Sequence, residues 1–291
     1  MPWNTKTVLT LGRVSNLPTV WTNTLAGVVL AGASPLDWNL LTLLLAMTLA
    51  YTGGMFLNDA YDRKIDAKEH PERPIPAGEI SAPEVFAAGF TLLFGAVFFT
   101  SIAVLGWHGN FTMAAAASIV LCVAIVLYNM RHKNNPLSPV VMGTCRMLVY
   151  LCAGFTASTQ PFPQLYMGAL VILAYLIGLT YLAKQENLAT LKNLWPVALI
   201  TMPLFFGLYS AISDSQVWIP LVMLVLWIAY CLYLSHRKNH GDIPTAVLSL
   251  ITGIALIDAV FIATVSSLTI ASVAVVGFLL TLVLQWFIAD P

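Results

Sequence analysis

An all-α integral membrane bundle is the fold class this sequence predicts, and three observations carry the prediction. The 291 residues are 59% hydrophobic and only 9% charged, against about 25% charged in soluble domains. Apolar runs recur from end to end, at roughly 17–33, 39–58, 85–106, 111–129, 139–158, 164–183, 195–212, 218–234, 244–266 and 268–289, each read as long enough to cross a bilayer as a helix. The runs lack the alternation of a barrel strand, and lipid requires backbone groups to be paired within the chain, so helices are the expected spans. The expectation is one polytopic domain over 1–291, an all-helical bundle in which the ten runs are the candidate transmembrane helices.

In chain order, the segment before the first run carries Lys6 and Arg13 and lacks a short apolar core followed by a small-residue cleavage site, so no cleaved signal is expected. The second run ends in Asn58-Asp59-Ala60-Tyr61-Asp62-Arg63-Lys64-Ile65-Asp66. On a helix, Asn58, Asp62 and Asp66 fall at i, i+4 and i+8 and line one face, with Asp59 beside them. Hard oxygen donors in this pattern suit Mg²⁺. That ion commonly takes one or two carboxylates and completes its shell with water and phosphate oxygens, so the pattern implies a phosphorylated ligand. The plainer reading, a solvated helix end, is disfavoured by the density of acids directly against a bilayer-length apolar run.

The fourth run is followed by Arg131-His132-Lys133-Asn134-Asn135. Arg131 and Lys133 are candidate phosphate ligands if this loop meets the acids, although cations at a membrane face are also the ordinary topology signal. The fifth run contains Arg146 and the ninth contains Asp258. An unpaired charge there costs about 2.5–3.5 kcal/mol, so each requires a partner or a wet cavity, and mutual neutralisation is as reasonable for Arg146 as a ligand role. The sixth run ends in Thr180-Tyr181-Leu182-Ala183-Lys184-Gln185-Glu186-Asn187, on the same side as the acidic motif by parity. The four cysteines, Cys122, Cys145, Cys152 and Cys231, all lie inside apolar runs without metal-site spacing and are expected to be buried packing residues.

If successive helices alternate direction, residues 1–15, 59–84, 130–138, 184–194 and 235–243 share one side, and they hold twelve of the thirteen Lys and Arg residues. The opposite loops hold none. The positive-inside rule then places the N-terminus and all five basic loops in the cytoplasm, and a bacterial inner membrane is the expected location. Zero net charge averages these two faces and says nothing about partners.

Asn58-Asp59-x-x-Asp62-x-x-x-Asp66, followed by Glu72-Arg73-Pro74-Ile75-Pro76-Ala77-Gly78, resembles the first aspartate-rich motif of the UbiA superfamily of intramembrane prenyltransferases. Arg13-Val14-Ser15-Asn16 before the first span and the polar residues after the fourth and sixth spans are similar to the same family. The resemblance implies a bundle of nine or ten transmembrane helices around a central cavity open to lipid, and a Mg²⁺-dependent prenyltransferase that moves an isoprenoid chain from its diphosphate to a small acceptor. It assigns Asn58, Asp59, Asp62 and Asp66 to the metal, Arg13, Asn16, Arg131, Lys133, Arg146 and Asn187 to substrates, and Lys184, Tyr181 and Glu186 to catalysis. The later motif departs from the family, which usually carries a second aspartate-rich motif where this chain has Tyr181-x-x-Lys184-x-Glu186-Asn187 with one acid. Lys184 would then supply the positive charge of a second metal. The departure also keeps open a polyprenyl-phosphate phosphoribosyltransferase-like or cyclitol-lipid-forming transferase. A transporter is the reading of another class, weakened because transporters place their polar sites near the midplane whereas these acids gather at one face.

Overall fold

The computed structural model describes residues 3–133, 135–184, 195–237 and 241–288, and among these the regular elements are all helical. The chain begins with α1 (Thr5–Leu11), capped by the Asn4 side chain, which accepts from the Lys6 N–H. A 3-10 turn, Val14–Asn16, leads into α2 (Leu17–Leu30), where Pro18 occupies the first turn and has no N–H to leave unpaired. Then follow α3 (Asn39–Glu69), α4 (Ala82–Trp107), α5 (Phe111–Arg131), α6 (Ser138–Ala157), α7 (Pro163–Ala183), α8 (Trp195–Ile200), α9 (Met202–Ala211), α10 (Trp218–Arg237), α11 (Asp242–Ala263) and α12 (Leu268–Phe287).

Eight of these helical segments are long and apolar enough to cross a membrane. The other two expected runs differ from the expectation for identifiable reasons. The first forms a helix of 14 residues, about 21 Å long at 1.5 Å per residue and short of the ~30 Å hydrocarbon core. The seventh is broken at Thr201 into α8 and α9. Pro203 stands in the first turn of α9, where its lack of an N–H and its restriction of the preceding residue favour a new helix start over a continuous one.

Two helices form the interior. Every residue of α2 except Trp21 is buried, and α2 packs against α3, α6, α7, α11 and α12. The most apolar stretch of α11 is 78% buried, against 28% for α12, which belongs to the outer wall. Close approach of α2 to α6 requires Gly27, because a Cβ there would stand 2.7 Å from the Tyr150 carbonyl oxygen. Large apolar side chains such as Phe94, Leu226 and Trp286 cover the outer surface, where lipid is the matching solvent. All four cysteines are free thiols, Cys152 and Cys231 buried and the other two half-buried, in agreement with a packing role.

Candidate active site

The acidic face lies on the last third of α3, which continues as one helix past the apolar run to Glu69. Asn58, Asp59, Asp62 and Asp66 are all buried, at 8%, 4%, 6% and 2% exposure, so this is no solvated helix end. Burial of three carboxylates requires compensation, and each receives it from a different part of the chain. Arg13 places Nη2 3.4 Å from Asp59 Oδ1 and 3.3 Å from Asn58 Oδ1. His132 Nε2 stands 3.2 Å from Asp62 Oδ2, with Lys133 Nζ at 4.0 Å from the same oxygen. Arg73, from the loop after α3, pairs with Asp66 Oδ1 at 3.0 Å.

Local structure sets these partners in place. Arg13 adopts a left-handed backbone conformation, φ 41°, unusual for a side-chain-bearing residue and a mark of local strain of about 1–3 kcal/mol. Tyr51 of α3 holds that turn by donating to the Arg13 carbonyl at 3.1 Å. The His132 ring stacks on Tyr128 of the same helix end, with centroids 4.9 Å apart. Asn58 Nδ2 donates to Asn129 Oδ1, and Asn129 Nδ2 in turn donates to the Gly54 carbonyl, so α5 is fixed to the acidic face of α3.

Beside this layer a cavity of about 370 Å³ runs between α2, α3, α5, α6, α7 and α11. Arg13, Asn16, Tyr51 and Asn129 give its upper wall polar groups, and Val20, Leu176 and Ile254 are among its apolar lining. Arg146 also lines it, donating to Asn23 Oδ1 at 2.7 Å and Thr19 Oγ1 at 3.1 Å. Asn23 Nδ2 spans both oxygens of Asp258 at 3.0 and 2.8 Å, and the Tyr150 hydroxyl donates a very short hydrogen bond to the same carboxylate. Arg146 and Asp258 therefore belong to one network, as the reading of mutual neutralisation expected, but with Asn23 between them. Asn16 is tied to the outer helix α12, whose Gln285 Nε2 donates to its Oδ1 at 2.7 Å.

Several sequence candidates are placed differently from expectation. Arg131 is exposed and pairs with no acid among the described residues; its neighbour His132 takes the inward position. Tyr181 and Lys184 do not line the cavity, whereas Thr180 and Ala183 of the same helix end do. The Lys184 ammonium donates to the Asn135 carbonyl at 2.5 Å and the Tyr181 hydroxyl to the Pro136 carbonyl at 3.4 Å, so both grip the loop that carries His132 and Lys133. Partial desolvation holds the Lys184 pKa below the ordinary lysine value. Glu186 and Asn187 lie outside the described residues. Sequence reasoning passed over His132, Asn129 and Asn23, and took Arg73 only as one of the basic residues extending the first loop. Arg73 and His132 lay inside motifs already singled out, and only the course of each loop separates them from their neighbours.

Among the described residues no three His, Cys, Asp or Glu side chains converge closely enough to hold a metal by themselves. Asp66 Oδ2 is nevertheless buried without a hydrogen-bond partner, and the donors along this face are carboxylate and amide oxygens. That combination fits an ion that takes one or two carboxylates from protein and the rest of its shell from phosphate and water.

The family model described as UbiA prenyltransferase family matches residues 20–188, more than half of the chain. The chain belongs to the UbiA prenyltransferase family. A digeranylgeranylglyceryl phosphate synthase of Methanopyrus kandleri is 26% identical over 204 residues, 68% of this chain and 69% of that protein. Protoheme IX farnesyltransferase 1 of Cenarchaeum symbiosum is 30% identical over 143 residues, 48% of this chain and 44% of the relative, so the chain spans less than half of that protein. The fold is shared with a solved structure of a digeranylgeranylglyceryl phosphate synthase in membranes, at a TM-score of 0.60 and 17% identity, covering 88% of this chain and 96% of the other. As a UbiA-family protein, the chain is a multi-span membrane prenyltransferase that acts on isoprenoid chains.

Proposed function

We propose that this UbiA-family protein transfers an isoprenoid chain from an isoprenoid diphosphate to a small acceptor, with Mg²⁺, at the cytoplasmic face of the membrane. The observation that carries the reading is the buried acidic face of α3 next to a cavity whose lining becomes apolar beyond its polar wall. Asn58, Asp62 and Asp66 would hold the ion, with Asp59 behind them. Bound magnesium supplies neutralisation of charge on the departing diphosphate.

The chain's own residues supply the remainder. Arg13, Arg73, His132 and Lys133, already gathered along the acids, are placed to contact diphosphate oxygens, and charge-assisted contacts of this kind strengthen as the leaving group gains charge. Tyr51 and Tyr128 line the cavity, where an aromatic ring would stabilise a cation-like allylic carbon. The apolar lining receives the isoprenoid tail and excludes water that would otherwise intercept that carbon. Lys184 serves this layer by holding the loop of His132 and Lys133. Lys184→Ala should therefore raise the donor KM by about two- to fivefold, the range for an exposed contact, and leave kcat within about twofold in steady-state assays.

Lipid extracts test the function directly. Cells overproducing the protein should contain one prenylated species absent from cells producing Asp62→Ala, and its mass identifies both substrates. Identical extracts would sink the proposal. Orientation has its own test: a cysteine at Asp214 should react with an impermeant thiol reagent applied from outside, and one at Lys133 should not. The opposite labelling pattern would remove the cytosolic supply of diphosphate and Mg²⁺.

A further inference from the structure

We propose that Thr7 and Glu79 are positioning residues for the donor site: their hydrogen bond closes a ring of contacts that fixes Arg13 and Arg73 on the acidic face of α3. The inference rests on the reading of that face as the diphosphate end and adds what sets the two guanidinium groups there. Thr7 Oγ1 donates to Glu79 Oε2 at 2.8 Å, joining α1 to the loop after α3 across 72 residues of sequence. Thr7 is buried, so its hydroxyl has little water to turn to once this acceptor is removed.

Each end of that bond leads by short backbone links to an arginine. On one side, the Gly12 N–H donates to the Val8 carbonyl at 2.9 Å and the Arg13 N–H to the Thr10 carbonyl at 3.1 Å, so the last turn of α1 runs directly into Arg13. On the other, the Glu79 N–H donates to the Pro74 carbonyl and the Ala77 N–H to the Arg73 carbonyl, both at 2.9 Å. Gly78, at φ 75°, supplies the left-handed turn that brings Glu79 back over Pro74. Arg13 then reaches Asp59, and Arg73 reaches Asp66. Those two acids stand seven residues apart on α3, two turns and about 10 Å along one face, so α3 itself completes the ring.

The ring passes behind the helix. Phe56 and Ala60 form one buried apolar cluster with Leu11 of α1 and Ile80 of the loop, and Val8 and Ile75 pack against it. Ala60 lies roughly 160° round α3 from Asn58 and Asp62, so the two segments meet at the back of the helix while their arginines meet its acids in front. Apolar contact alone is non-directional and leaves the register of α1 against the loop loosely set, whereas the Thr7–Glu79 bond fixes it. Register matters because Arg13 has a left-handed backbone, and such a residue persists only where its surroundings over-determine it.

The experiment titrates magnesium pyrophosphate into the full chain purified in detergent and reads its dissociation constant beside the unfolding midpoint. Thr7→Val and Glu79→Ala should each weaken pyrophosphate binding about three- to fivefold, the effect of one ordinary hydrogen bond, and the two combined should be no weaker than either alone. Thr7→Ser and Glu79→Gln keep donor and acceptor and should stay within about twofold of the unsubstituted protein. Once the ring is opened at Arg73 the bond has nothing left to close, so Thr7→Val added to Arg73→Ala should weaken binding by less than about twofold further. A lower midpoint with unchanged pyrophosphate affinity would reduce the bond to a structural role and overturn the proposal. Losses that multiply in the Arg73→Ala background, or failure of Thr7→Ser and Glu79→Gln to restore binding, would also overturn it. Loss of binding in Asp62→Ala but not in Thr7→Val overturns the ring alone, whereas unimpaired binding in Asp62→Ala defeats the reading of the α3 acids and, with it, the ring.

Discussion

Asp66→Ala should lower kcat/KM for the isoprenoid diphosphate by roughly 10²–10³-fold, the loss that follows removal of one preorganised electrostatic contact to a developing charge. The carboxylate is 2% exposed, and its Oδ2 is buried without a partner while Oδ1 is engaged by Arg73. Alanine would also release Arg73 from its ion pair with Asp66, so thermal unfolding of the variant should accompany the kinetics; a large rate loss with a small change in midpoint assigns the effect to the site. A chelator should abolish turnover by the unsubstituted protein, and added Mg²⁺ should restore it. Full activity in the chelator would remove the metal from the mechanism.

The second large effect concerns stability. Asp258→Ala takes the acceptor away from the Asn23 amide and the Tyr150 hydroxyl and leaves Arg146 as the charge of its layer. Individual polar contacts between membrane helices average only about 0.6 kcal/mol, whereas an uncompensated charge costs about 2.5–3.5 kcal/mol. The charge decides the outcome, and the expected loss is about 2–4 kcal/mol. Asp258→Asn, which retains hydrogen bonding, should lose less than Asp258→Ala. Adding Arg146→Met to Asp258→Ala should recover part of the loss, a coupling that a double-mutant cycle in detergent unfolding measures directly. Stability of Asp258→Ala within about 0.5 kcal/mol of the unsubstituted protein would mean that the network does not hold α2, α6 and α11 together.

What could be read from the sequence follows the range of the physics involved. The placement of Asn58, Asp62 and Asp66 on one face depends only on helix geometry over eight residues, and α3 preserves it through Glu69. Long apolar runs identified the spans because the signal is repeated over twenty residues. The interruption at Thr201 was announced by Pro203, but a strong apolar signal over the whole run outweighed one residue. Which of Arg131, His132 and Lys133 turns toward Asp62 depends on the path of a loop, and neither spacing nor charge distinguishes them. Asn23 and Thr19 drew no attention because an uncharged polar side chain in an apolar run is unremarkable until the facing helices bring Arg146 and Asp258 to it. The same holds for Gln285, whose partner Asn16 is 269 residues earlier in the chain.

Because α3 is a single helix of 31 residues, about 46 Å from end to end, the height of its acids is fixed to the depth of its apolar half. Arg13, Arg73 and His132 reach those acids from separate segments, tied to α3 by individual side-chain contacts such as those of Tyr51 and Asn58 and not by one continuous helix. A bilayer thicker or thinner than the apolar half of α3 would tilt or shift that helix at a cost of fractions of a kcal/mol per ångström, moving the acids relative to the side chains that meet them. Acyl-chain length in the surrounding lipid thereby becomes a determinant of turnover, and reconstitution into vesicles of graded thickness should give a rate optimum where helix and bilayer match.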